Sequence, residues 1–479
     1  MKSICWLRRD LRLNDNAALF HACNNSNEVF IIFIFDLNIL NKLEKNDRRV
    51  SFIENSIKDL QKKLSNLNSS IIVLYGYPVK LIPQIALELN VQSVYTNYDY
   101  EEYGKNRDKE IQNSLTSNSI NFYSYKDQAI FDRNEILNLS SNIYKVFTPY
   151  KNAWLKKIDS LTNSNSLNNP IIDFNPDLTK LVNTNNINDN NTSIDISKIG
   201  FNSQKLWLNS GEIGGNELLK SFIFNIDNYK ETRDFPSIKN GTSHLSVHLR
   251  FGTISIRSLV RHSYKRNTIG SDTWLSELIW RDFYKMLLDK FPSTKENCFK
   301  KEFDNLQWEN NFELWEAWCI GMTGYPIIDA AMRHFNKTGW MHNRLRMIVA
   351  SFLTKDLLID WKMGERYFAQ HLLDFDLSAN IGGWQWCASV GCDAQPYFRI
   401  FNPISQSIKF DTNGDFIREN CPELSGFSND SIHFPFTSSI SEQFSANCII
   451  GKNYPSPIVD HSIQRIKALE MFKKCKENM

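Results

Sequence analysis

Between Trp274 and Arg399 the sequence sets Arg, Asn, Asp and Glu inside segments that are otherwise apolar and rich in Trp, and that is where chemistry has to be sought. The common hydrolytic and metal arrangements are missing. The first apolar run continues as CWLRRDLRLND, without the Gly-x-Gly-x-x-Gly that lets a helix start receive a dinucleotide pyrophosphate. No Walker A loop, HExxH or GxSxG elbow occurs. Nine Cys run from Cys5 to Cys475 without a CxxC pair, and nine His are dispersed, so neither a disulfide framework nor a zinc site is supported.

The elements that must position these residues change type along the chain. SICWL, VFIIFIF, SSIIVLY, VQSVYT and INFYSY read as strands, with room for a helix between each pair. Val50, Ile53, Ile57, Leu60 and Leu64 recur at steps of three and four, one apolar helical stripe. This alternation predicts a doubly wound parallel sheet over residues 1–134. From Leu161 to Asn202 the composition is Asn, Ser, Thr and Asp without a period, and residues 135–202 are expected to form a long polar linker. Residues 203–475 then read as a larger helical domain. There SDTWLSELIWRDFYKMLLDKF opens on Asp272 as a candidate N-cap.

At 479 residues, two or three domains and an unaided core are expected. Formal net charge is +2, so any nucleic-acid surface has to be a local patch. Mean hydropathy is −0.39, and the run Val29 to Phe35 falls far short of the roughly 20 residues that span a bilayer. Arg8, Arg9, Asp10 and Arg12 interrupt any signal-peptide apolar region, so a cytoplasmic location is expected.

The stretches TGYPIIDAAMRHFNKTGWMHNRLRMIVASFLTKDLLIDW and GERYFAQHLLDFDLSANIGGWQWCASVGCDAQPYFRIFNP, with SELIWRDFY, RDFPSIKNGTSHLS and WLRRDLRLNDN, closely resemble the DNA photolyase and cryptochrome family. The resemblance runs from about residue 3 to 475 and is strongest to bacterial class I cyclobutane pyrimidine dimer photolyases. It implies FAD in its reduced form, UV-damaged DNA as partner, and a monomeric carbon–carbon lyase driven by blue light. The protein would hold the flavin and receive a dimer extruded from the duplex.

The resemblance carries roles residue by residue. Tyr229, Thr242, Ser243, His244, Leu245 and Ser246 match the segment around the flavin phosphates and ribityl chain, with His244 standing where relatives carry Arg or Lys. Trp274, Arg281, Arg346, Asp374, Phe375, Asp376 and Asn380 match flavin contacts, Asn380 at the place that faces flavin N5. Glu277, Trp280, Arg281, Asn343, Met347 and Trp386 match the dimer pocket, and Asn343 with Met347 stands where (6-4) photolyases carry two His. Trp308, Trp361 and Trp384 match an electron relay from surface to flavin. Arg233, the run from Glu277 through Leu278, Ile279, Trp280, Arg281, Asp282, Phe283 and Tyr284, then Asn343, Arg344, Arg399 and Gln406 match DNA contacts. The 5,10-methenyltetrahydrofolate antenna of many relatives loses its partners here. The aligned places read Glu44, Tyr103 with Gly104, and Lys295 with Glu296, so folate light harvesting is expected to be weak or absent. The competing expectations are a blue-light receptor of the same fold without repair activity, and a helical scaffold whose tryptophans are core.

Overall fold

The computed structural model describes residues 1–162, 168–183 and 194–477. The chain divides into two compact units, one of Met1–Asp227 and Ser243–Pro292, the other of Asn228–Thr242 and Ser293–Met479. Contacts therefore thin out far from the boundaries at 134 and 202 expected above. Parts of the Asn-rich linker, 163–167 and 184–193, lie outside the described residues.

In the first unit β1 (Lys2–Leu7), β2 (Glu28–Asp36), β3 (Ile71–Gly76), β4 (Ser93–Asn97) and β5 (Asn121–Tyr125) form one parallel sheet in the order β3-β2-β1-β4-β5. β2 is buried from Val29 to Asp36, as an unbroken apolar run covered on both faces requires. β5 is the edge strand and mostly exposed. The crossover helices are α1 (Ala17–Asn25), α2 (Arg48–Asn66), α3 (Pro78–Glu88) and α4 (Glu102–Ser117). Asp47 caps α2, which buries Val50, Ile57, Leu60 and Leu64 on the predicted stripe.

The linker expectation fails at α5 (Phe147–Leu161), where Phe147, Tyr150, Trp154 and Ile158 are buried at helical spacing. The same unit contains α6 (Ser246–Phe251) and α7 (Ile269–Lys290). α7 starts earlier than Asp272. Thr268 accepts from Ser271 N, and the Ser271 hydroxyl completes the capping box.

Buried charges tie the segment after α6 to the loops above the sheet. Asp127 receives Arg12 Nη2 and Arg257 Nη2, each at 2.7 Å, and Arg257 Nε reaches Asp15 at 2.7 Å. All four side chains are at most 6% exposed.

The second unit is helical, with α8 (Phe312–Ile320), α9 (Pro326–Thr338), α10 (Asn343–Ser351), a π-helical turn at Phe352–Asp356, α11 (Trp361–His371), α12 (Leu377–Cys387), α13 (Pro403–Phe410) and α14 (His461–Glu477). Trp318, Phe335, Phe352, Trp361, Phe368 and Trp384 belong to one core there. Among the described residues no helix is long and apolar enough to cross a membrane.

Burial alone would raise the pKa of Asp127, but Arg12 and Arg257 outweigh it and hold the carboxyl below its ordinary value. A depressed acid stabilises the fold above its unfolded pKa of about 3.9, and that contribution is lost as pH falls through the lower, folded value. Asp127→Leu leaves Arg12 without its buried carboxylate and Arg257 with Asp15 alone, and is expected to cost about 3–5 kcal/mol at pH 7. Urea unfolding across pH 2.5 to 7 checks both points, since the variant should also lose less stability than wild type on acidification.

Candidate functional site

α12 begins at Asp376, whose carboxylate accepts from Ser378 N and Ala379 N, so the chain turns into the helix and buries Asn380 one turn later. Helix α11 crosses beneath. A Cβ on Gly364 would lie 2.1 Å from Trp384 Cη2 and 2.6 Å from Leu353 Cδ2, so this crossing demands glycine. The close approach brings Glu365 against Asn380, whose Nδ2 donates to Glu365 Oε1 at 2.8 Å and to Glu365 O at 3.0 Å. The Glu365 carbonyl can only accept, which fixes the amide orientation and leaves Asn380 Oδ1 as the oxygen offered elsewhere. Burial raises the Glu365 pKa, and the bond from Asn380 opposes it.

Beside this, Arg346 donates to Asp374 Oδ2 at 2.7 Å and to Met341 O at 2.8 Å. Asp374 Oδ1 is buried and has no hydrogen-bond partner among the described residues. A buried acceptor without a partner in the protein is one that a bound group can meet. A spare carboxylate oxygen, a guanidinium and an amide oxygen form a donor and acceptor set that suits the N–H and carbonyl edge of an isoalloxazine. The residues of this unit therefore fit a flavin. Tyr229 is buried, with the Arg233 guanidinium 5.4 Å from its ring centroid, and Thr242 lies next to Gly241, where a Cβ would meet two carbonyl oxygens at 3.0 Å.

The remaining flavin residues of the sequence reading lie in the first unit. Ser243 to Ser246 lead into α6, and His244 takes a left-handed conformation at φ 53° with its ring 5.6 Å from Trp207. Trp274 is buried against Phe222 at 4.8 Å.

The run 277–284 cannot face one partner as a block. Glu277, Trp280, Arg281 and Tyr284 are half-buried at the i, i+3, i+4, i+7 positions of a single helix face. Leu278, Ile279, Asp282 and Phe283 are buried on the other side of the helix. Asp282 Oδ2 accepts from Ile130 N, Phe131 N and Trp154 Nε1 at 3.1, 3.2 and 3.1 Å, and burial raises its pKa to about 6. Trp280 stacks on Phe147 at 3.7 Å and 8°, while Arg281 donates to Gln128 O.

A cavity of ≈ 530 Å³ opens in the second unit, and Arg344, Met347, Trp386, Arg399 and Gln406 all line it. Five residues from separated parts of the sequence reading thus share one wall. Arg344 is already engaged, 2.8 Å from Asp234 and 4.3 Å from the centroid of Phe410. Lys230, Arg399 and Lys409 are exposed at the cavity and supply the local positive charge that the total of +2 conceals. Asn343 is exposed, its Nδ2 3.9 Å from Met347 Sδ. Sequence reasoning missed Lys230, Asp234, Phe410, Gly364 and Glu365. Only Gly364 and Glu365 had a signal, a small residue and an acid one turn after Trp361 on a helix full of aromatics.

Trp308, Trp361 and Trp384 all belong to or pack on the core of this unit, Trp361 and Trp384 being buried. Ring contacts do not join them to one another among the described residues. Trp384 meets Phe368 and Trp318, whereas Trp308 meets Phe472 at 6.4 Å.

Residues 274–474 match the family described as the FAD binding domain of DNA photolyase, and residues 3–169 match the family described as DNA photolyase. The deoxyribodipyrimidine photo-lyase of Vibrio cholerae is 38% identical over 485 residues, covering 99% of each chain. Among solved structures, a bacterial class III photolyase from Agrobacterium tumefaciens superposes with a TM-score of 0.88 at 32% identity, covering 99% of this chain and 98% of that one. A cryptochrome from Synechocystis gives 0.87 at 27% identity, covering 98% and 99%. Arg346, Asp374, Asn380 and the cavity residues from Arg344 to Phe410 all fall inside the matched flavin-binding range, and relatives match from end to end: the chain belongs to the DNA photolyase family.

Proposed function

We propose that this chain repairs cyclobutane pyrimidine dimers in DNA under blue light, and the observation that carries the reading is the cavity where Trp386, Met347, Arg344, Arg399 and Gln406 converge in the flavin-binding unit. Bound FAD in its reduced form supplies, on illumination, the single electron that opens the cyclobutane ring. The chain's residues do the rest. Arg346, Asp374 and Asn380 hold the flavin edge, and Glu365 keeps Asn380 Oδ1 facing it, an acceptor for the N–H of a reduced ring. Trp386 is half-buried, and with Met347 it gives a flipped dimer an apolar surface. Lys230, Arg399 and Lys409 meet phosphates, which positions the duplex without reading sequence. Trp384 is read as the aromatic donor next to the flavin.

The photo-lyase relative shares more identity than the cryptochrome, which favours repair over signalling. A folate antenna is read as weak: Tyr103 OH is committed to Asp36 Oδ2 at 2.6 Å, and a Cβ at position 104 would collide with Asp99.

Pre-reduced protein mixed with UV-irradiated oligothymidylate is expected to remove dimers under blue light and not in darkness, as followed by chromatography of the digested DNA. Unchanged dimer content in a flavin-loaded sample would overturn the reading. Arg399→Ala is expected to weaken binding equally across DNA sequences and to lower the salt slope of log Kd by about 1, the signature of one phosphate contact, which a salt titration measures. Glu365→Leu leaves Asn380 Nδ2 buried without its side-chain acceptor, a cost of about 1–3 kcal/mol. Its flavin should reoxidise faster in air than wild type at equal FAD content, as read by absorbance in the dark.

A further inference from the structure

Trp384 lies in ring contact with Trp318, their centroids 6.2 Å apart at 66°. Trp318 stacks on Trp315 at 5.5 Å and 21°. These two tryptophans are one turn apart on α8, so a single short helix carries aromatic contact from the buried indole of Trp384 to a half-buried one. We propose that Trp318 and Trp315 form a second electron outlet from Trp384, parallel to the one through Trp361 and Trp308, with Trp315 as its terminus at solvent. The proposal rests on the reading above that Trp384 adjoins the flavin.

The electrons balance as follows. Trp384 gives one electron to photoexcited oxidised FAD, Trp318 refills Trp384, and Trp315 refills Trp318. Trp315 then loses its indole N–H proton to water, and the resulting neutral radical takes a hydrogen atom from a solvent thiol, which leaves as a thiyl radical. Tunnelling falls off exponentially with separation, so direct ring contact favours both internal steps.

Proton chemistry sets the direction. The Trp318 N–H is buried and donates to Val349 O at 3.2 Å, and a backbone carbonyl takes no proton, so an oxidised Trp318 cannot be trapped there. Trp315 reaches water and can be. Tyr367 stands edge-on to both rings, at 5.8 and 5.7 Å, yet its hydroxyl faces Asn336 Oδ1 at 2.8 Å, an amide oxygen that is no base. Charge points the same way. α8 carries Glu313 and Glu316 and no basic residue, whereas Lys362 Nζ lies 6.0 Å from the ring centroid of Trp361. A positive hole is repelled by the second and attracted by the first.

Flash photolysis of the oxidised, flavin-loaded full-length protein tests this with wild type, Trp361→Phe and Trp361→Phe/Trp315→Phe. Trp361→Phe is expected to keep a long-lived neutral tryptophanyl radical, and adding Trp315→Phe to abolish it. Trp361→Phe/Trp318→Phe should show the same loss. Illumination of Trp361→Phe with a nitroso spin trap, followed by peptide mapping, should place the adduct on Trp315. Loss of the long-lived radical in Trp361→Phe alone, or an adduct confined to Trp308, would overturn the branch while leaving the cofactor reading intact. Radical formation persisting in Trp384→Phe would instead overturn the placement of Trp384, and with it both outlets.

Discussion

One close helix crossing organises the second unit. Gly364 on α11 lies under the indole of Trp384 on α12, closer than any side chain would permit. Everything nearby on the two helices is registered by that contact. Glu365, the next residue, reaches Asn380 one turn before Trp384, and Phe368, one turn on, meets the Trp384 ring at 5.0 Å. The polar groups proposed for the flavin edge and the aromatics proposed for the relay are therefore set by the same interface. A small displacement of α11 would misplace the amide and the indole together.

Such an interface has to be dry, and each polar group inside it needs a partner. Arg346 and Asp374 supply one another, and Asn380 has Glu365. Lys355 is the harder case. The π-helical turn at Phe352–Asp356 buries it completely, with Nζ 3.2 Å from Ala388 O and 3.6 Å from the ring centroid of Phe472. Burial lowers its pKa far below the ordinary lysine value, and the Ala388 carbonyl and the Phe472 ring are what it meets in the core. Asp356 beside it is raised by burial to about 6 and bonds His461 Nδ1 at 2.5 Å, which ties α14 to the same turn.

Patterns of period two and of three to four residues were legible wherever one partner surface dictated them. β2 reads as a buried strand because seven of its nine residues, Val29 to Phe35, are apolar, and α2 because its apolar residues recur along one stripe. Helix α5 has a stripe just as regular, Phe147, Tyr150, Trp154 and Ile158, but it runs into the Asn-rich segment and composition hid the period. The run 277–284 is the opposite case. Its resemblance is continuous in sequence, while a helix necessarily shares those residues between a core face and an outer face. Lys230, Asp234 and Phe410 were illegible for a different reason: they meet Arg344 and its cavity only through tertiary folding, and no local spacing encodes that.

Strand order by itself nominates a ligand crevice at the sheet of the first unit. The order β3-β2-β1-β4-β5 places a switch point between β1 and β4, and open α/β sheets bind ligands outside the carboxyl ends of such strands. In this chain those ends are filled from within. Arg8, just after β1, bonds Asp108 at 2.5 Å and Asn97 O, and Asn97 at the end of β4 donates to Asp10 at 2.6 Å and Asn16 at 2.9 Å. Arg107 lies 3.1 Å from Asp108 and 3.5 Å from Asp36 at the end of β2. Burial alone would raise Asp99 there, yet Arg9, Arg8 and Arg107 more than offset it and hold the carboxyl well below its usual range. A ligand entering would have to break a buried pair, at about 3–5 kcal/mol for each charge left alone. The crevice that strand order nominates thus stabilises its own unit, and the open carboxylate oxygen, the oriented amide and the cationic cavity stand among helices instead.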